Sequence, residues 1–110
     1  MAQITYDDFA KLQIKIGTIL SVEIIEDADK LLKLMVDVGE AEPRQIVSGI
    51  RNYFPEPQIL VGKQCPFIVN LEARTIRGFE SQGMIMAASD NDEFALLYPH
   101  AEIKAGATVR

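Results

Sequence analysis

Two arginines stand three residues apart in the stretch "NLEARTIRGFESQGM" (residues 70–84), inside a Gly-containing connection between two apolar runs. A guanidinium presents a planar fork of N–H donors that grips a phosphate through two hydrogen bonds and stacks on a base. Two such groups, Arg74 and Arg77, in a chain whose formal net charge is −5 point to an anionic ligand. The charge is also segregated along the chain. Residues 30–79 hold seven Lys or Arg against five Asp or Glu, whereas the remainder holds four against eleven. Lys33, Arg44 and Arg51 belong to the same basic segment, and Asn70 and Gln82 bring amides suited to base edges or ribose hydroxyls.

Other chemistries fit poorly. One cysteine, Cys65, and one histidine, His100, exclude a disulfide framework or a Cys/His zinc site within a single chain. Cys65 lies in the apolar run "CPFIVN" and reads as a buried, inert thiol, in keeping with a reducing, cytoplasmic location. Ser48 in "IVSGI" lacks the flanking glycines of a nucleophile elbow, and His100 follows a proline in a loop. Asp90, Asp92 and Glu93 do not follow a calcium-loop pattern and read as a solvated turn. No phosphate-cradling Gly-rich loop is present, so neither catalysis nor a cofactor is expected. No apolar run approaches the ~18 residues of a membrane span, and "MAQITYDDFAK" has no signal-peptide character.

The elements that must position the cations are mostly strands. Thr5 is a candidate N-cap for a short helix with Asp7 and Asp8 in its first turn, beside the positive end of the helix dipole. From Leu12 to Ile24 apolar and other residues alternate with period two, which predicts one long strand with Gly17 as its bend. "LLKLMVDV" and "RQIVSGI" predict a second and third strand. Residues 51–63, with two prolines and a glycine, predict a short helical or irregular connection. "QCPFIVNL" and "GMIMAAS" follow as strands four and five, then a "DND" turn into "EFALLY". With no repeat or linker, residues 1–110 form one domain. The expected fold is all-β: a five-stranded oligonucleotide/oligosaccharide-binding barrel with an N-terminal helix and a C-terminal extension. An SH3-like barrel or a small sandwich is compatible with the same periodicity.

In the five-stranded barrel, strands two and three and the loop before the last strand border one groove. Lys33 has the opposite parity to Leu32 and Leu34, so it points away from the core. Lys33, Arg44, Arg51, Arg74 and Arg77 then converge although they are far apart in sequence. Aromatic platforms are sparse, with Tyr53, Phe54 and Phe79 the candidates, and Phe54 reads as core. Extended single strands are normally bound by stacking. The composition therefore favours a folded RNA recognised through its backbone.

The blocks "DDFAKLQIKIGTI", "ADKLLKLMVDVG", "RQIVSGIRNYFPEP", "LVGK" and "NLEARTIRGFESQGMIMAA" resemble the tRNA-binding domain family over about residues 5–110. That family includes the C-terminal appendage of methionyl-tRNA synthetases and stand-alone structure-specific tRNA-binding proteins. The resemblance implies a non-catalytic barrel that binds the outer corner of tRNA by shape, typically as a homodimer, alone or as part of methionyl-tRNA synthetase. Carried over by motif, it marks Lys33, Arg44, Asn70, Arg74, Ser81 and Met84. Glu72 beside Arg74 and the acidity of the whole chain depart from the family pattern and bear on affinity.

Two rival readings share the fold. One is a peptide-binding, export-related chaperone of a related branch, which the Ser-Gln-Gly-Met ending and the length of the tail argue against. The other is a pure dimerisation module. For the dimer itself, the tail offers Phe94, Leu96, Leu97, Tyr98, Ile103 and Val109, more apolar residues than one barrel needs, with Tyr6 and Phe9 as neighbours.

Overall fold

The computed structural model describes residues 1–110. Helix α1 (Tyr6–Ala10) starts at Thr5, whose hydroxyl accepts from the Asp8 N–H at 3.1 Å while the Asp8 carboxylate accepts from the Thr5 N–H at 3.3 Å. This reciprocal box satisfies two N-terminal donors that a helix cannot pair internally. The strands are β1 (Ile14–Ile24), β2 (Leu32–Asp37), β3 (Arg44–Ser48), β4 (Gln64–Ile68), β5 (Arg74–Ile76), β6 (Phe79–Ser81), β7 (Met84–Ile85), β8 (Ala87–Asp90) and β9 (Glu93–Leu96). Five of them form an antiparallel sheet in the order β3-β2-β1-β4-β7 that curls into a nearly closed barrel. The fold is the all-β, five-stranded architecture expected from the periodicity, with residues 51–53 and 57–60 as short 3-10 turns.

β1 serves two parts of the barrel. Its first half pairs with β4, from Ile14 opposite Ile68 to Thr18 opposite Gln64. Its second half pairs with β2, from Thr18 opposite Asp37 to Ile24 opposite Leu32. The other edge of the first half is covered by the tail: Ile16 N–H donates to Ala107 O, and the N–H groups of Gly106 and Val109 donate to Ile16 O and Ile14 O.

The simple alternation predicted for this strand is corrected by the structure. Ile14 and Ile16 are buried, but on the face they share with Ile68 and Pro66 and outside the main core; Gly17 and Ile19 turn to the core instead, and Leu20 and Ile24 are half-exposed. Gly17 sits where an added Cβ would lie 2.5 Å from Val36 and 2.8 Å from the Phe67 ring, so the strand can turn its backbone against the core only there. Leu20 is then the extra residue of a bulge between the Ile19–Val36 and Ser21–Met35 pairs, which restores the phase for Val22. Strand coiling in a closed barrel, rather than side-chain polarity, sets these shifts.

The core is built from Ile19, Leu32, Leu34, Val36, Ile46, Leu60, Cys65 and Phe67, all fully buried. Burial pushes the Cys65 thiol up to about 11, which suits an inert core residue. Phe94 and Leu96 pack on this core from outside the barrel. Two further expectations are revised. The apolar run after Gly83 is not one strand, because Met86 N–H turns to Pro66 O and separates β7 from β8, which pairs with β9 instead. Residues 74–81 are not a plain loop but the hairpin β5–β6, reversed by Arg77 and Gly78 at φ +52° and +84°. Two positive φ values in a two-residue loop match the right-handed twist of the flanking strands.

The barrel closes between β3 and residues 81–83 without a continuous ladder. Gln82 N–H donates to Gln45 O at 2.8 Å, and the Gln82 side-chain oxygen accepts from the Gln45 N–H at 3.0 Å. The Ser81 hydroxyl accepts from the Val47 N–H at 3.0 Å and donates to Gly83 O. At Gly83 a Cβ would lie 2.9 Å from Ile68 O and 3.2 Å from Ile46. Arg44 completes the seam: its Nη1 donates to Val69 O at 2.6 Å and Gln82 O at 2.9 Å, and its Nε and Nη2 grip both oxygens of Glu40.

Removing Arg44 should therefore be a folding defect. Arg44→Met leaves the Val69 and Gln82 carbonyls without a donor and should cost about 2 kcal/mol, measured by urea denaturation. The hydrogen bonds from Arg44 hold the Glu40 carboxyl below its usual range. That stabilisation is fully present above the unfolded value of about 4.3 and fades as pH falls through the lower folded value. The gap between wild type and variant should accordingly narrow between pH 5 and pH 3; a gap independent of pH would contradict this role for Glu40.

Candidate nucleic-acid interface

Hairpin β5–β6 is short, and two strands alone are marginal in water. It is held against the barrel by Ile76 and Phe79, which pack on a small secondary core of Ile25, Ala28 and Val47, and by the Gln45 side-chain amide, which donates to Glu80 O at 2.9 Å. Arg74 pairs across the hairpin with Ser81, so it shares the barrel-facing side with Ile76 and Phe79 yet remains exposed. Arg77 occupies the exposed tip. Neither arginine has a carboxylate within 4.0 Å, Glu72 included. Their donors face water and are available to an anion.

Lys33 lies on the outward face of β2 as its parity requires, with Leu32 and Leu34 fully buried on the other face. Its ammonium is 3.0 Å from the Glu23 carboxylate and 5.1 Å from the centre of the Phe79 ring. The ring thus carries a cation rather than an open stacking face. Because Phe79 belongs to the hairpin, this contact brings Lys33 and the two arginines to one side of the molecule. Arg51 is half-buried beside the start of β2, the same end as Lys33, where its backbone N–H donates to Lys30 O; its guanidinium makes one long bond, 3.5 Å, to Ala28 O and borders a shallow cleft with Ile24, Asp29 and Phe54.

The remaining candidates are engaged internally. Arg44 has four of its five N–H groups committed at the seam, and Ser81 and Gln82 bond β3 there. The Asn70 amide accepts from the Gln13 N–H and donates to Lys11 O, which fastens the end of α1 to the barrel. Met84 is 47% exposed at the start of β7. The structure therefore separates free or exchangeable cations (Lys33, Arg51, Arg74, Arg77) from residues that shape the surface carrying them.

Glu23 and Gln45 are absent from the sequence-derived candidates. Glu23 and Lys33 lie five residues on either side of Ala28, so a hairpin register centred there would have paired them. The role of Gln45 depends on barrel closure, for which no local signal exists. Tyr53 stacks on Phe94 with ring centres 3.9 Å apart, and this exposed aromatic belongs to the junction between the 51–53 turn and β9. Asp90, Asp92 and Glu93 flank the β8–β9 turn, with Asn91 at φ +52°. No helix is long and apolar enough to cross a membrane.

Comparison with known proteins agrees with this architecture. Residues 14–108 match the family described as "Putative tRNA binding domain". The chain is 43% identical over 110 residues to a methionine–tRNA ligase of Thermococcus kodakarensis, and 48% identical over 107 residues to that of Methanococcoides burtonii. These matches cover 100% and 96% of the chain but only 15% and 16% of the two ligases. Among solved structures, a MetRS-related protein from Pyrococcus horikoshii superposes with a TM-score of 0.92 at 39% identity, covering 100% of both chains. The chaperone CsaA of Bacillus anthracis superposes with a TM-score of 0.87 at 25% identity, covering 99% of this chain and 100% of its own. On a family match that spans the barrel from β1 to the tail, the chain belongs to the tRNA-binding domain family.

Proposed function

We propose that this domain binds tRNA without catalysing a reaction, in the cytoplasm, either alone or as the appended domain of a methionyl-tRNA synthetase. The observation that carries the reading is the pairing of unneutralised arginines on β5–β6 with Lys33 on β2, on a barrel whose family is a tRNA-binding one. Lys33, Arg74 and Arg77 contact the RNA backbone, with Arg51 extending the surface. Arg44, Asn70, Ser81 and Gln82 act as positioning residues, and Met84 adds apolar contact at the edge. Phosphates spaced by a folded RNA meet cations spaced by a rigid sheet, so shape rather than base sequence is read.

The chaperone reading rests on fold likeness alone, at 25% identity for the Bacillus anthracis protein. A peptide-binding surface needs an apolar groove, whereas the face described above is polar and cationic. The family match and the higher identity to the methionine–tRNA ligases favour RNA.

Binding should be strongly salt-dependent. If about four phosphates are neutralised, log K against log salt should fall with a slope of roughly −3 to −4. Filter-binding titrations at several salt concentrations test this. Arg74→Ala and Arg77→Ala should each weaken binding by about 1–2 kcal/mol, with stability changed by less than ~0.5 kcal/mol. A flat salt response, or equal affinity for tRNA and an unstructured RNA of the same length, would sink the proposal.

The domain acts as a two-fold homodimer. Phe94 and Leu96 are used by the barrel, but Leu97, Tyr98 and Ile103 in the tail and Ile4, Tyr6 and Leu12 at the N-terminus are left exposed. Burying such residues in a symmetric contact removes them from water and presents two cationic faces to one RNA. Light scattering at tens of micromolar should give twice the chain mass, and Leu97→Glu with Tyr98→Glu should give monomer and weaker tRNA binding. A wild-type monomer at that concentration rules the dimer out.

A further inference from the structure

Three ion pairs hold the chain together electrostatically, and they differ in purpose. Lys11–Asp8, at 3.6 Å, sits on exposed α1, and Arg44–Glu40 belongs to the barrel seam. The third, Lys33–Glu23, bonds no part of the seam and places a carboxylate at the cationic face. Its geometry is set by the sheet: Glu23 and Lys33 are direct partners in the β1–β2 ladder. The Lys33 side chain is only 18% exposed, whereas that of Glu23 is 62% exposed. The Phe79 ring closes one side of the ammonium and the Glu23 carboxylate closes another.

We propose that Glu23 is an internal competitor for RNA phosphate at Lys33 and thereby sets the affinity of this contact. The carboxylate occupies the ammonium in the free protein as a phosphate oxygen does in the complex. A phosphodiester reaching Lys33 either displaces Glu23 or binds beside it, and in the second case two anions crowd one cation. Engagement of Lys33 is thus an exchange of anions rather than capture by a free charge. Arg74 and Arg77, with no carboxylate in range, carry no such restraint. The partial burial of Lys33 against Phe79 strengthens the competition, because charges screened from water interact more strongly than exposed ones.

This inference rests on the RNA-binding reading, and the experiment separates the two. tRNA binding is measured by filter titration for wild type, Glu23→Gln, Lys33→Met and the double variant at about 0.1 M salt. Glu23→Gln keeps the shape of the side chain, and Lys33→Met keeps the packing on Phe79; thermal unfolding confirms that each variant is folded. Glu23→Gln should tighten binding about three- to fivefold, the upper part of the range of a surface ion-pair coupling. In the Lys33→Met background the same change should alter binding less than about twofold, because the competition no longer has a target. Unchanged affinity in Glu23→Gln overturns the proposal. Equal tightening with and without Lys33 also overturns it, since Glu23 would then act only through the general field. If the wild-type chain binds no tRNA, the RNA-binding reading itself fails, and this inference with it.

Discussion

A sheet becomes a barrel only when its two edge strands satisfy each other's open N–H and C=O groups, and here the edges do not meet in a regular ladder. β7 is two residues long and pairs with β4 alone. The edge of β3 is instead completed by the side chains of Ser81 and Gln82, one backbone bond from Gln82 to Gln45, and the guanidinium of Arg44. Side-chain oxygens stand in for missing backbone carbonyls, so Val47 and Gln45 keep hydrogen-bonded N–H groups at the seam. The run Ser81-Gln82-Gly83 follows from this need: a hydroxyl, an amide and a residue without a Cβ.

The hairpin arginines of the cationic face hang from that seam. Residues 79–81 lead directly into it, so hairpin β5–β6 is fixed at one end by closure and along its length by Ile76 and Phe79. The position of Arg74 is therefore a consequence of core geometry, even though the residue itself is exposed. The same reasoning separates two kinds of arginine. Arg44 is held by four hydrogen bonds and adds rigidity; Arg74 and Arg77 are held by none and add charge that a ligand can use.

An acidic chain that binds a polyanion needs its few free cations placed well, and the structure shows how the excess carboxylates are kept from neutralising them. Glu40 is bound to the seam arginine and Asp8 to the helix it caps. Asp90, Asp92 and Glu93 lie at the β8–β9 turn, whereas the cations lie on β2 and β5–β6. At physiological ionic strength a charge is screened over about 8 Å. Distant acidic residues thus reduce overall attraction without cancelling local contacts, and Glu23 is the exception because it touches Lys33.

Strands β1 to β4, the capped helix and the outward direction of Lys33 were legible in the sequence, because each depends on residues within a few positions of one another. Thr5 followed by Asp8 forms a cap through local bonds, and Leu32, Leu34 and Val36 share a face through the pleat alone. Five blocks spread over residues 7–88, taken together, also pointed to the family. What local pattern could not supply was the phase of β1, the hairpin at Arg77–Gly78, and the division of the basic residues into struts and free charges. β1 turns Gly17 to the core, where Val36 and Phe67 leave no room for a Cβ, and changes phase at the Leu20 bulge opposite β2; these partners are distant in sequence. Arg44 and Arg74 are chemically identical on the page of the sequence. Only the folded chain brings the Val69 and Gln82 carbonyls to the first and leaves the second in water, because those two long-range contacts exist only once the barrel has closed.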